Sequence, residues 1–287
     1  MAVISPCARA LVAAYAVATF LAVTLDCGAV NATSVTSENW ATRPDTVDRV
    51  LLMKPDHPTG AVIPLPGSHG NINLDAEGHL GWGEGDFLIR TRMHYTNSGL
   101  ITIVPDVAAD HKPPASLVGF RTSQMQADDL HALADHLLGM APKVWMVAYD
   151  TGATSALNAV ARGKADLIDG LVLISPVLQH PDLSSTLLID GAKLAVSRMP
   201  VLVIGHLFDP CSLPVIDRMK NAAAVLRAPK FQAIMIKDKS EQYSVSDPFE
   251  SPKNDCNMQA NHALAGRDAV VSDQIIDWIG QQKAAVK

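Results

Sequence analysis

Three side chains have the types and spacing for nucleophilic and acid–base chemistry. They are Asp150 in "WMVAYDTGATSALNAVARG" (145–163), Asp209 in "GHLFDPC" and His262 in "DCNMQANHALAG". A carboxylate is ionised at neutral pH unaided, because its reference pKa is about 4. It can therefore act as a nucleophile or a general base without an activating partner. A histidine held by a second carboxylate can take a proton from water and return it to a leaving group. Asp150 stands between Ala148 and Gly152, where an apolar run gives way to a helical one. Small residues two before and two after a nucleophile are what a tight strand–turn–helix requires. The turn residue there sits at positive φ, which Asp tolerates better than most residues.

Chemistry at Asp150 would also need donors for a developing negative charge. "PLPGSHG" (64–70) follows an apolar strand, and the backbone N–H groups of Gly67, Ser68, His69 and Gly70 are candidate oxyanion or substrate contacts. Thr151, the residue after the nucleophile position, belongs to the same set. The alternatives are a plain glycine turn at 67–70 and a surface position for His69. Ser68 and Ser155 are the other possible nucleophiles, although Ser155 falls inside the helix and fits a structural role. Asp106 and Asp110 read as loop acids at a strand end, bordering the pocket. "GWGEG" (81–85) lacks the Lys-Ser/Thr of a phosphate loop. The remaining histidines are scattered, so neither a metal site nor a cofactor is expected.

These groups must be positioned by a scaffold, and the hydrophobic pattern supplies one. Strands are expected at 47–54, 61–65, 100–105, 143–149, 167–175, 200–206 and 231–238. Helices are expected at 86–98, 123–140, 152–163, near 184–198, near 214–227 and at 267–283. In the helix at 123–140, Met125, Leu130, Leu133 and Leu137 lie near one face. The segment from Thr33 to Thr46 reads as a polar stretch. Continuous apolar strands alternating with helices mean an α/β fold, a mostly parallel sheet with helices on both faces. In such sheets sites form at the carboxyl ends of the strands. Asp150 and Asp209 each follow a strand end, and His262 lies in the loop after the last strand. Nucleophile, acid, histidine in that order is the chain order of the α/β-hydrolase triad.

The chain has 287 residues, 48% hydrophobic and 18% charged, enough for one large core. Its net charge of -6 is spread without a basic patch, which argues against nucleic acid as a partner. Residues 10–25 form an apolar run of about 16, short of the roughly 20 needed to span a bilayer. With Arg9 before it and "VNA" at 30–32 after it, the run reads as a secretory signal peptide, the alternative being a membrane anchor. Residues 1–32 are thus expected to be removed, leaving one domain over 33–287, secreted or periplasmic, with no later membrane span. Its two cysteines, Cys211 and Cys256, would form one disulfide or remain two thiols. A bridge would close a loop of roughly 45 residues, worth about 4 kcal/mol.

The chain resembles a family of exported bacterial α/β-hydrolases over nearly all of the mature segment. The resemblance is carried by "PGSHG", "FLIRTR", "GFRTSQMQADDL", the 145–163 stretch, "DGLVLISPV", "HLFDPC" and "DCNMQANHALAG". It implies Asp209 as triad acid, His262 as base, and a Cys211–Cys256 bond tying the acid loop to the histidine loop. The departure lies at the turn, where the family carries a serine and this chain Asp150. An aspartate there is similar to the haloalkane dehalogenase and epoxide hydrolase branch, in which the carboxylate attacks a saturated carbon. That branch commonly has a tryptophan after the aspartate, where this chain has Thr151. It also commonly has a cap domain between the strands at 167–175 and 200–206. Here roughly 25 residues join them, too few for a domain, so the site is expected to be open to bulky or polymeric ligands. Three functions remain open: an Asp-Asp-His hydrolase acting through an alkyl-enzyme ester, a binding protein that has lost its nucleophile, and a hydrolase using another nucleophile.

Overall fold

A computed structural model describes residues 33–83, 85–111, 117, 119–176, 199–209, 230–238 and 261–282. The segments expected as a signal peptide (1–32) and as helices near 184–198 and 214–227 lie outside the described residues, as do Cys211 and Cys256.

Eight strands form one sheet in the order β1-β2-β4-β3-β5-β6-β7-β8. They are β1 (Thr33–Arg43), β2 (Thr46–Pro55), β3 (Gly60–Leu65), β4 (Leu100–Pro105), β5 (Val144–Tyr149), β6 (Gly170–Ile174), β7 (Val201–His206) and β8 (Phe231–Ile236). Strand β2 pairs antiparallel with β1 and β4, and the other pairs are parallel. The helices are α1 (Phe87–Asn97), α2 (Gln124–Leu138), α3 (Gly152–Ala161) and α4 (Asp268–Gln281).

Two corrections concern the elements. The polar stretch from Thr33, to which the sequence pattern assigns no element, is strand β1. Its Ser/Thr-rich sequence gives little apolar alternation because it forms the sheet edge, with most side chains partly or fully exposed. The strand expected from 167 begins at Gly170, because residues 165–167 form a 3-10 turn.

The central strands are buried on both faces, and alternate residues serve two cores. Ile63, Leu65, Met146, Ala148, Leu173 and Val203 pack under α2 and α3, against Leu130, Leu133, Leu137, Ala153 and Leu157. Val62, Trp145, Val147, Ile174 and Ile204 face the other way, onto Phe87, Leu88, Val271, Ile275 and Trp278 of α1 and α4. Each such Leu or Ile contributes roughly 1.5–3 kcal/mol by burial. Met125, expected on the buried face of α2, is instead 47% exposed. It lies five residues before Leu130, off the i, i+3, i+4, i+7 stripe that carries the other three.

The carboxyl ends of β3 and β5 are neighbours, with β7 one strand further on beyond β6, and each of the three is followed by a loop that carries a candidate residue. Among the described residues, no helix is long and apolar enough to cross a membrane.

Candidate active site

The turn after β5 has the geometry its sequence implies. Asp150 has φ 50, in the left-handed region. Its N–H donates to the Ile174 carbonyl at 2.9 Å and its carbonyl accepts from the Ala153 N–H at 3.2 Å. A Cβ on Gly152 would lie 2.1 Å from the Leu65 carbonyl oxygen, so no other residue fits there without moving the strand. A Cβ on Gly67 would lie 2.8 Å from the Asp150 Cβ, and its absence lets the loop after β3 cross directly over the carboxylate.

Asp150, Asp209 and His262 meet at this point. His262 Nδ1 is 2.9 Å from Asp209 Oδ2, and His262 Nε2 is 3.3 Å from Asp150 Oδ1. The imidazole is completely buried and the two aspartates are 3% and 7% exposed. The loops behind them are tied together. Asn261 Nδ2 donates to the Phe208 carbonyl at 2.9 Å, and Ser175 Oγ donates to the His262 carbonyl at 2.9 Å. Arg90 of α1 donates to the Ala263 carbonyl and pairs with Asp268 at 2.9 Å. His206 braces the acid loop by accepting the Phe208 N–H at Nδ1 (3.1 Å), with Nε2 2.6 Å from the Asp238 carbonyl.

Charge follows from this arrangement. Burial pushes the Asp150 carboxyl up. The hydrogen bond and charge of His262, with the N–H groups of Thr151 and Ser68, outweigh burial and bring it down to about 2. The adjoining N-terminus of α3 also favours an anion. Burial pulls His262 down, but its bonds to Asp150 and Asp209 and their charges raise it to about 9. Both shifts favour an imidazolium facing an ionised Asp150 at neutral pH.

Of the four backbone donors expected in the loop after β3, the Ser68 N–H reaches the carboxylate, 3.2 Å from Asp150 Oδ2. The neighbouring Thr151 N–H helps to lower the same carboxyl. The Gly67 N–H points away, to Asp86 Oδ2 at 2.8 Å. Gly70, at φ 70, packs against Leu117 and Arg121. His69 organises the loop: its Nδ1 accepts the Asn71 N–H at 3.1 Å and its ring lies 4.3 Å from that of Trp82. Thr151 Oγ1 donates to the Ser68 carbonyl at 3.1 Å, joining the elbow to the loop. Ser155 is wholly buried and its Oγ accepts from Arg121 Nη1 at 2.9 Å, so its hydroxyl is engaged away from the imidazole. Asp110 pairs with Arg43 at 2.8 Å and takes no part in the site. Asp106 accepts the N–H groups of Ile72 and Leu74, both at 3.1 Å, which orders the loop that continues from the site.

Two residues had not been singled out as functional. Asp86 caps α1 through the Leu88 N–H and holds the Gly67 N–H, with burial pushing its carboxyl up to about 6. An acid just before an apolar helical run is a legible N-cap signal. Arg121 donates to three carbonyls of the loop, and nothing in the local pattern marks a buried arginine. Among the described residues, no group of three or more His, Cys, Asp or Glu side chains could hold a metal ion.

No protein-family model matches the sequence, and no curated protein matches it. Solved structures do. A protein assigned as a dienelactone hydrolase from Klebsiella pneumoniae subsp. pneumoniae superposes with a TM-score of 0.60 at 13% identity, covering 88% of this chain and 100% of its own. The dienelactone hydrolase of Anabaena variabilis gives 0.55 at 18% identity, covering 86% and 97%. A dienelactone hydrolase-like promiscuous phosphotriesterase from metagenomic libraries gives 0.55 at 11% identity, covering 87% and 98%. At these identities the likeness is one of architecture. Together with the strand order and the turn after β5, it makes this chain a protein of the α/β-hydrolase fold.

Proposed function

We propose that the protein is an exported hydrolase in which Asp150 is the nucleophile, His262 the base and Asp209 the residue that orients and charges the histidine. One observation carries this: the Asp150 carboxylate is divided between two tasks. Oδ2 faces the Ser68 N–H, and Oδ1 faces His262 Nε2. Oδ1 attacks a saturated carbon, and the bond from that carbon to a halide or epoxide oxygen breaks, its electron pair leaving with the heteroatom. The product is an alkyl ester of Asp150. Esterification removes one negative charge from beside His262, which then falls towards its neutral, basic form. His262 takes a proton from water, and the water oxygen adds to the carbonyl carbon of the ester. The charge that forms on Oδ2 lies where the Ser68 N–H points. Collapse expels the alcohol oxygen, which takes the proton from His262. The Asp150 carboxyl, left with the second hydrogen of the water, releases it to solvent (for an epoxide, solvent returns it to the alkoxide formed in the first step) and is a carboxylate again.

The same groups serve a carboxylic ester poorly. Carboxylate attack on an ester carbonyl gives an anhydride, a higher-energy intermediate than the ester a serine forms. Turnover of alkyl halides, epoxides and p-nitrophenyl acetate by wild type, Asp150→Asn and Asp150→Ser tests the assignment. Wild type should turn over a member of the first two classes and Asp150→Asn none, while Asp150→Ser gains activity on the activated ester. Wild-type cleavage of that ester, unchanged in Asp150→Asn, would remove Asp150 as nucleophile. A second reading, a binding protein without turnover, is favoured by the fact that Asp150 itself occupies the Ser68 donor. It takes the lead if no substrate is turned over and His262→Ala changes nothing.

Export, with removal of residues 1–32, rests on the apolar run and its small-residue cleavage site. The disulfide gains support from the loops that flank it. Asp209 and His262 lie 2.9 Å apart through Oδ2 and Nδ1, and Cys211 and Cys256 stand close to them in sequence. Non-reducing peptide mapping of exported protein should recover Cys211 linked to Cys256; two free thiols would reject the bond.

A further inference from the structure

The loop over Asp150 is clamped one peptide plane at a time. In a trans peptide the carbonyl and the following N–H point in opposite directions. The Pro66 carbonyl accepts from Arg121 Nη2 at 3.0 Å, while the N–H of that same peptide, on Gly67, donates to Asp86 at 2.8 Å. The Gly67 carbonyl accepts from Nη2 at 3.2 Å, and the N–H of that peptide, on Ser68, donates to Asp150 Oδ2 at 3.2 Å. The Ser68 carbonyl accepts from Nη2 at 3.1 Å. Nη1 anchors the fork to Ser155 of α3 at 2.9 Å.

The guanidinium is 5% exposed. Burial lowers its pKa to about 10, against the charges of Asp150 and Asp86, so it remains cationic at neutral pH. It gathers three carbonyl dipoles on the side of the loop away from Asp150. Ser68 meanwhile holds φ 48, a conformation that persists only when its surroundings impose it. With the fork removed, the Gly67 carbonyl loses its donor in a buried setting, and rotation of the 67–68 peptide would turn that oxygen towards the Asp150 carboxylate.

We infer that Arg121 is the positioning residue that aims the Ser68 N–H at Asp150, by holding the Gly67 carbonyl on the opposite side of the shared peptide plane. It acts through the loop and touches no reacting atom. The kinetic consequence rests on the proposed alkyl-ester mechanism; the peptide orientation does not. In that mechanism negative charge grows on Oδ2 only when the ester is opened. Loss of the Ser68 donor should therefore slow ester hydrolysis while leaving alkylation nearly unchanged.

The test reads the backbone amide of Ser68 by NMR, which requires no substrate. In wild type this proton bonds a carboxylate, and Asp150→Ala should move it upfield. Arg121→Gln should move it the same way while the Thr151 amide, on the elbow, holds its position. Arg121→Lys, which keeps the charge but loses the fork, should give an intermediate shift. With an alkylating substrate, Arg121→Gln should slow ester hydrolysis by roughly 10²–10³-fold, the cost of one lost oxyanion donor. A folded Arg121→Gln protein with an unmoved Ser68 amide would overturn the inference. Should that variant not fold, Ser155→Ala removes the anchor alone and should give a smaller shift of the same sign; no shift would count equally against it. If no substrate alkylates the protein, the mechanism fails, and the amide shift still decides the role of Arg121.

Discussion

His262→Gln should stop the protein after one alkylation. In the proposed mechanism the imidazole takes no proton when the ester forms. It lowers the Asp150 carboxyl against burial, and the glutamine amide keeps part of that role by donating a hydrogen bond. The imidazole lies between Asp150 and Asp209, where it could take a proton from water, with its two nitrogens 3.3 Å and 2.9 Å from them. Loss of a general base costs roughly 10²–10⁴-fold, so steady turnover should fall by that factor while a single burst of product leaving group survives. Rapid-quench kinetics, comparing the burst with the steady rate, checks both halves of the expectation. A burst and a steady rate that decline together would assign His262 to the first step instead.

Asp150→Asn should shift the pH range over which the protein is most stable. The His262 pKa is raised from 6.5 to about 9. Its contribution to stability is complete below 6.5 and is lost as pH rises through about 9. The Asp150 pKa is depressed from 3.8 to about 2, so its contribution is present above 3.8 and is lost as pH falls through about 2. The pair is therefore fully stabilising between about 4 and 6.5. In Asp150→Asn one of the two carboxylates facing the imidazole is gone, and the His262 pKa should fall by roughly 1–3 pH units. Loss of stability on the alkaline side then begins at lower pH, and the acid loss due to Asp150 disappears. Urea midpoints across this range, with imidazole NMR, measure both effects. An unchanged His262 pKa in the variant would show that Asp150 is not its partner.

That Asp150, Asp209 and His262 meet was legible from chain order: each aspartate follows a strand end and the histidine lies in the loop after the last strand, and the small residues flanking Asp150 announced a tight turn. Gly152 explains why that signal is strong: backbone of β3 lies where its Cβ would be. Strand β1 was not legible, since an exposed edge needs no apolar alternation. Which N–H of the loop faces the carboxylate was also hidden. All four candidate residues look alike in sequence, and the choice depends on Arg121, Asp86 and Asp150, which are distant from one another along the chain. Arg121 itself sits just before α2 among polar residues, where an exposed side chain is the ordinary expectation.

The central claim is that Asp150 forms the covalent bond, and the tryptic peptide from Val144 to Arg162 tests it directly. Asp150 is the one acidic side chain in that stretch, so a mass increment there that base removes assigns the ester, whereas alkylated Met146 or Tyr149 would resist base. After His262→Gln protein is incubated with an alkyl halide or epoxide that wild type consumes, this peptide should carry one alkyl group, and base should remove it. An unmodified peptide from a protein that still releases the leaving group, or an alkyl group on any other peptide, would contradict the account.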